Sequence, residues 1–472
     1  MKKNIDLFLV HQNDALKQVM QKIDHNGHGI ALVVDSQKIF LGLVTDGDIR
    51  RAIIKGSSLS TNIEELMNKN PTTLNTNYTP QNVTDIITQK PNLNHLPVLD
   101  DEKKIKDLLL KEEIMNITRN TSSLFSKIEA PQQKIELNMK QKHILITGGA
   151  GYIGSVLTRQ LLERGYNVTV LDKFIFGPSS LESIKNNPHL TIIAGDVSHV
   201  EDIIKAIQQV DTVVHLAEIV GDPACAIDPA TTQQINYLST SIIATACKHF
   251  QINRFIYASS CSVYGSTLDE ELLHEKSTTN PLSLYARMKL ESERTILGLA
   301  DGIFSPTILR FATVFGQSPR MRFDLVVNTL TLKAIKEGKI TIFGGDQWRP
   351  LIHVADLSRA ITTIIEAPLE KVKCEIFNVG GNQHNYTINH IGHHIKTLYP
   401  ASDVVIQEKN VDKRNYKVDF SKINTQLSFL PSLTIQDGIT EIATSLQQGT
   451  YDNYTHPIYY NDKWYEQTLK KD

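Results

Sequence analysis

One stretch constrains this chain more than any other: from His143 to Asp172 it reads HILITGGAGYIGSVLTRQLLERGYNVTVLD. His143–Thr147 is a short apolar run that reads as a strand. Gly148, Gly151 and Gly154 follow at three-residue spacing. Ile153, Val156, Leu157, Leu161 and Leu162 then recur with a helical period as far as Gly165, a helix stop. Val168–Leu171 is a second strand, and Asp172 ends it, 18 residues beyond Gly154. In such a unit the first glycine permits the tight turn, the second lets a diphosphate approach the backbone, and the third lets helix and sheet pack closely. The helix start offers free N–H groups and partial positive charge. A carboxylate at the second strand end holds a ribose diol and repels a 2′-phosphate, so Asp172 favours NAD over NADP, with Lys173 tempering that preference. The expected cofactor residues here are Gly148, Gly151, Tyr152, Ile153, Gly154 and Asp172.

Strands at Thr191–Ala194, Asp211–Ala217, Arg254–Ser260 and Pro306–Arg310 alternate with helices near 200–209, 231–249 and 283–299. That alternation predicts a doubly wound, Rossmann-type α/β sheet, parallel and covered on both faces. Ligands of such sheets bind at the strand C-terminal ends. Asp196 in Gly195-Asp196-Val197 either accepts from an adenine amino group or serves as a turn carboxylate.

Ser259-Ser-Cys-Ser-Val-Tyr-Gly265 follows one of these strands, and Tyr285-Ala-Arg-Met-Lys289 lies on the next helix. Positions i and i+4 share a helix face, so Tyr285 and Lys289 project together. A phenol is a poor base at neutral pH, but a nearby ammonium and a cationic nicotinamide favour its phenolate. A serine hydroxyl completes a relay to a substrate alcohol.

With these residues in place, 142–448 resemble the extended short-chain dehydrogenase/reductase family, in its nucleotide-sugar epimerase/dehydratase branch. The shared landmarks run from Thr147–Gly154 through Asp172, Gly195-Asp-Val197, His215-Leu-Ala217, Ser260, Tyr285 and Lys289. They continue through Leu309–Gly316, Gly344–Pro350, His353–Asp356 and Phe377–Gly381. The resemblance implies that Tyr285 is the general acid/base and that Lys289 holds the nicotinamide ribose and tunes it. Ser260 hydrogen-bonds the sugar hydroxyl. Asp196, Val197, Leu216 and Ala217 join the NAD site, Thr313 contacts substrate, and Arg349 and Arg414 meet its diphosphate. Family 4,6-dehydratases carry Asp-Glu where Cys261 and Ser262 stand, and sugar-acid decarboxylases place Glu at the second of these positions. Hydride chemistry without elimination remains, and 4-epimerisation through a 4-keto sugar is its simplest case. The alternatives are an NAD(H)-consuming reductase of a keto sugar and a protein that senses NAD and adenylate. A second departure is Glu218, where the family more often has Ala; it faces either the sugar loop 219–225 or solvent. Cys225 and Cys261 line or flank the pocket without a legible nucleophilic role.

The N-terminal part is built differently. Val33, Asp35, Lys38, Leu43 and Ile49 recur 65 residues later as Val98, Asp100, Lys103, Leu108 and Ile114. Each copy reads strand, turn, strand, short helix. These residues, above all Gly42-Leu-Val-Thr-Asp-Gly-Asp-Ile-Arg50, resemble a CBS-domain pair, an α+β module. The resemblance implies an adenine nucleotide between the halves, with Thr45 and Asp48 facing its ribose and phosphates. In the second copy Leu110 and Glu113 stand there, so one hydroxyl is missing. Otherwise Thr45 and Asp48 cap a helix, and the module serves dimerisation or packing. The expected organisation is a CBS pair over 1–118, a linker over 119–141 and the catalytic domain with a smaller C-terminal substrate part over 142–472.

Charge and composition exclude other classes. Lys+Arg number 49 against 51 Asp+Glu, a net charge of −2 that gives no strong field for nucleic acid. The four cysteines form no CxxC pair, so no metal site is expected. No apolar run approaches a membrane span or a signal peptide, which predicts a cytoplasmic protein. A homodimer or larger closed assembly is expected.

Overall fold

The computed structural model describes residues 5–54, 56–79, 82–83, 86–87, 90, 93–111, 113–114, 143–266, 272–408, 412 and 414–469. The chain divides into two compact units, Met1–Lys127 and Ile128–Asp472. The linker expected at 119–141 lies outside the described residues.

In the first unit the sequence repeat is also a repeat of hydrogen bonds. Leu9–His11 runs parallel to Ile30–Val34, which pairs antiparallel with Phe40–Thr45. Leu74–Asn75, His95–Leu99 and Ile105–Leu110 repeat this pattern. The register slips at Val33/Val34 and again at Val98/Leu99. Lys38 and Lys103 both turn the chain at a φ of 60°. Asp35 accepts from the amides of Gln37 and Ile39, and Asp100 from those of Glu102 and Lys104. Phe8, Ile30, Leu32, Phe40 and Leu43 of the first half bury against Leu108 of the second.

The second unit is built on seven parallel strands: β1 (His143–Thr147), β2 (Asn167–Asp172), β3 (Leu190–Ala194), β4 (Thr212–His215), β5 (Arg254–Ser260), β6 (Ser305–Phe311) and β7 (Ile376–Val379). Their order is β3-β2-β1-β4-β5-β6-β7. Ile144, Ile146, Val168, Val170, Val213 and Val214 are fully buried, because helices cover both faces. The order reverses between β1 and β4, so the crevice at the ends of Thr147, Asp172 and His215 is where a ligand belongs. The helices that frame it are α1 (Gly154–Glu163), α2 (Val200–Ile207), α3 (Ser239–His249) and α4 (Leu284–Gly298).

The helix expected over 231–249 is interrupted. Pro229–Gln233 is α-helical, Gln234–Leu238 is a π turn, and α3 follows. The wider turn aims Asn236 at the loop after β4, where its amide accepts from Ile219 N at 2.9 Å and donates to Ile219 O at 2.8 Å. Beyond β6 the substrate part has its own core of Phe315, Leu330, Ile340, Ile391 and Ile439. A last helix, α5 (Asn461–Leu469), returns to the crevice, and Asn461 and Tyr465 line it. Among the described residues, no helix is long and apolar enough to cross a membrane.

His215 ties the reversal point together. Its Nδ1 meets Thr147 Oγ1 at 2.7 Å and its Nε2 meets Thr240 Oγ1 at 2.9 Å. Burial, helped by Lys289, pushes its pKa down to about 3. A depressed histidine contributes stability that is complete above its unfolded pKa of 6.5 and is lost as pH falls toward 3. Within that window it alone gives a slope of about 1.4 kcal/mol per pH unit. Urea midpoints between pH 7 and 4 should fall more steeply in the parent chain than in His215→Gln.

Candidate active site

A cavity of about 670 Å³ opens at the strand ends of the second unit. Its floor is the glycine-rich turn. Gly148 sits at φ +74°, and a Cβ there would lie 2.9 Å from the backbone of Ala217. A Cβ on Gly154 would overlap the Gly148 carbonyl, so α1 can approach the turn only with glycine at that position. Asp172 accepts from Ala150 N at 2.9 Å and Phe174 N at 2.8 Å, and burial raises its pKa against these bonds. Both oxygens keep lone pairs for a diol. Asp196 is ion-paired with Lys173 at 2.9 Å and accepts from Ser198 N. Burial raises its pKa, but these partners outweigh it and hold the carboxyl below its ordinary range.

The positions expected to hold cofactor, namely Gly148, Gly151, Tyr152, Ile153, Gly154, Asp172, Asp196, Val197, Leu216 and Ala217, all line this cavity. So do Ser260, Tyr285, Thr313, Arg349 and Arg414. Lys289 stands behind Tyr285, its ammonium 5.6 Å from the centre of that ring. Tyr152 uses its hydroxyl structurally, donating to Gly316 O at 2.6 Å.

Helix α4 places the tyrosine expected to act as general acid/base. Ser283 caps its start, accepting from Ala286 N and donating to Asp222 at 2.7 Å. Tyr285, Lys289 and Glu293 follow at successive i+4 positions on the sheet-facing side. Ser260 stands near the Tyr285 hydroxyl in the same cavity wall. Burial, then Glu218, Cys225 and Asp222, push the phenol well above its usual value, and Ser260 draws its pKa down against them. Glu293 forms a buried pair with Arg310 on β6 at 2.7 Å and accepts from Ser259 on β5.

Glu218 is not directed at solvent. It is almost wholly buried and pairs with Lys289 at 2.6 Å, while Tyr257 donates to its other oxygen at 2.7 Å. Lys289 also donates to Ala258 O. Burial raises the Glu218 carboxyl, and Lys289 and Tyr257 draw it back. Tyr257, Asn236 and α5 were not legible as site residues; the Trp464-Tyr465 pair in a polar tail is the one signal that marked α5.

At the substrate end Arg349 and Arg414 converge on Asp412, at 2.9 and 2.5 Å, and Arg414 also reaches Asp222 at 3.2 Å. Burial raises the Asp412 carboxyl, but the two guanidinium groups hold it far below the usual range. Cys225 and Cys261 are buried, and burial lifts the Cys225 thiol to about 12. In the first unit, Asp48 accepts from Thr45 N at 2.9 Å and from its hydroxyl at 2.7 Å, and pairs with Arg51. Both residues therefore act as caps of the helix Asp46–Ile54, and Glu113 accepts from Leu110 N in the same way.

Residues 144–380 match the model of the NAD dependent epimerase/dehydratase family. The chain belongs to this family. Residues 1–55 and 63–119 match CBS domains. Over 328 residues this epimerase/dehydratase is 32% identical to the uncharacterized UDP-glucose epimerase YtcB of Bacillus subtilis, covering 65% of this chain and 99% of that protein. It is 29% identical over 321 residues to a UDP-N-acetyl-alpha-D-glucosaminuronate decarboxylase of Bacillus cytotoxicus, covering 64% of this chain and 96% of that one. Among solved structures it resembles UDP-glucuronic acid 4-epimerase from Bacillus cereus in complex with UDP-glucuronic acid and NAD, with 28% identity, a TM-score of 0.58 and coverage of 65% and 99%. The cofactor of the family is NAD, and the cradle fits it: glycines stand where a Cβ would fill the floor, and a carboxylate ends β2.

The Glu218–Lys289 pair yields a stability test. Glu218→Ala strands a buried ammonium and should cost about 3–5 kcal/mol in urea unfolding, whereas Glu218→Met with Lys289→Met should cost less than the single change.

Proposed function

We propose that this enzyme is a nucleotide-sugar 4-epimerase, acting on a UDP-sugar as the names of its relatives suggest. The observation that carries the reading is Tyr285 in the cavity wall with Ser260, and, among the described residues, no uncommitted carboxylate beside it. Glu218 is bound to Lys289 and Tyr257, and Asp222 to Ser283 and Arg414. Cys261 and Ser262 stand where elimination or decarboxylation would need an acid, and both are buried. This argues for epimerisation over the decarboxylation named for some relatives.

Bound NAD supplies a hydride acceptor at the sugar carbon and, when oxidised, a cationic ring that favours the Tyr285 phenolate. Tyr285 takes the C4 hydroxyl proton, with Ser260 sharing the hydrogen bond, and returns it to the same oxygen after the carbon is reduced from the opposite face. Arg349 and Arg414 grip the diphosphate as guanidinium forks, so the sugar turns while its anchor stays fixed. Lys289, held by Glu218 and Ala258 O, stabilises charge behind the phenol. The CBS pair is read as a regulatory or assembly module that takes an adenine nucleotide, and the enzyme as a homo-oligomer.

NMR of a UDP-sugar panel should show stereochemical interconversion with no net change at the NADH absorbance. Tyr285→Phe should lower turnover by about a thousandfold or more and leave NAD binding within about twofold. Product formation coupled one-to-one to NADH oxidation would favour the reductase instead.

A further inference from the structure

Arg320 is an arginine of the cavity without a carboxylate partner among the described residues. Its side chain is only 7% exposed and lines the cavity. The guanidinium carbon lies 3.6 Å from the centre of the Phe176 ring, and Nη2 donates to Asn461 Oδ1 at 2.7 Å. The Nε atom is buried with no hydrogen-bond partner. Among the described residues no carboxylate lies within ion-pairing distance of it. The other arginines of the cavity are matched: Arg322 with Asp324 at 2.9 Å, and Arg349 and Arg414 with Asp412. Burial and the neighbouring Arg322 push the Arg320 pKa down to about 9. A desolvated cation with a spare N–H, kept in the wall of a cavity, is built to receive an anion.

Its surroundings indicate which anion. Arg320 N donates to Ser318 Oγ, whose hydroxyl donates to Tyr152 O at 2.7 Å just before α1, and Asp172 at the end of β2 lines the same cavity. In a βαβ unit these positions bracket the ribose and diphosphate of a dinucleotide. The groups that orient Arg320 come from the loop after β2 and from α5. Trp464 Nε1 donates to Ile175 O at 2.8 Å, Tyr465 meets the Phe176 ring edge-on at 5.9 Å, and Asn461 Nδ2 donates to Val220 O at 2.9 Å. Helix α5 is thus fastened to the loops after both β2 and β4, across the reversal of strand order.

We infer that Arg320, clamped between Phe176 and Asn461, is a ligand for the diphosphate of NAD, and that α5 fastens it there and closes the cofactor site. This rests on the NAD dependence of the family and is independent of which sugar reaction follows. Binding is measured on the full chain after removal of NAD, by calorimetry for affinity and stopped-flow fluorescence for release. Arg320→Gln should weaken NAD by about tenfold or more, the loss of a charge-assisted contact, and leave UDP within about twofold. Asn461→Ala, which keeps the charge but frees the clamp, should speed NAD release by about threefold or more. Tyr285→Phe serves as the comparison, since it should lose turnover but bind NAD normally; a Tyr285→Phe enzyme that still turns over would sink the proposed chemistry without touching this inference. Parent-like NAD binding in Arg320→Gln overturns the assignment. So does a selective loss of UDP, which would give the guanidinium to the nucleotide sugar. Should Arg320→Gln fail to fold, unchanged release from Asn461→Ala decides against the proposal.

Discussion

Two buried ion pairs on one face of α4 govern the geometry of this enzyme. Lys289 meets Glu218 from the loop after β4, and Glu293 meets Arg310 on β6, one helical turn further along. Each pair is costly to desolvate, and the return comes from fixed geometry in a medium of low dielectric. Together they pin the helix to consecutive parts of the sheet, so Tyr285, one turn before Lys289, is held against Ser260 at the end of β5. Burial first, and then the Glu218 carboxylate behind the ammonium, hold the pKa of the phenol above its usual value.

The cavity therefore carries its charges in two styles. At one end of the cavity Arg349 and Arg414 are already paired with the Asp412 carboxylate. Near α1 Arg320 is held by an aromatic face and an amide instead. The first style favours exchange of an anion, and the second favours its retention.

Backbone demands proved the most legible part of the sequence. Gly148 and Gly154 announce themselves because only glycine satisfies a local turn and a close helix approach, and both demands lie within a few residues. The i+4 spacing of Tyr285 and Lys289 is local in the same sense. Glu218 was recognisable as unusual, but its direction depended on Lys289 and Tyr257, far away in sequence. The π turn at Gln234–Leu238 exists for the bond between Asn236 and Ile219, and composition leaves no mark of it. Arg349 and Arg414 were readable as cations, whereas Asp412 as their common partner required the fold. Arg320 was likewise readable as a cation, whereas its clamp between Phe176 and Asn461 required the fold.

The hairpins of the first unit carry a different kind of record. Side chains between the two copies have largely diverged, yet the left-handed lysine, the register slip and the aspartate that straps each turn recur at the same offset. Surface chemistry drifts freely, while a turn can change only if several hydrogen bonds change together. The internal repeat is thus written in the bends of the main chain as well as in its letters.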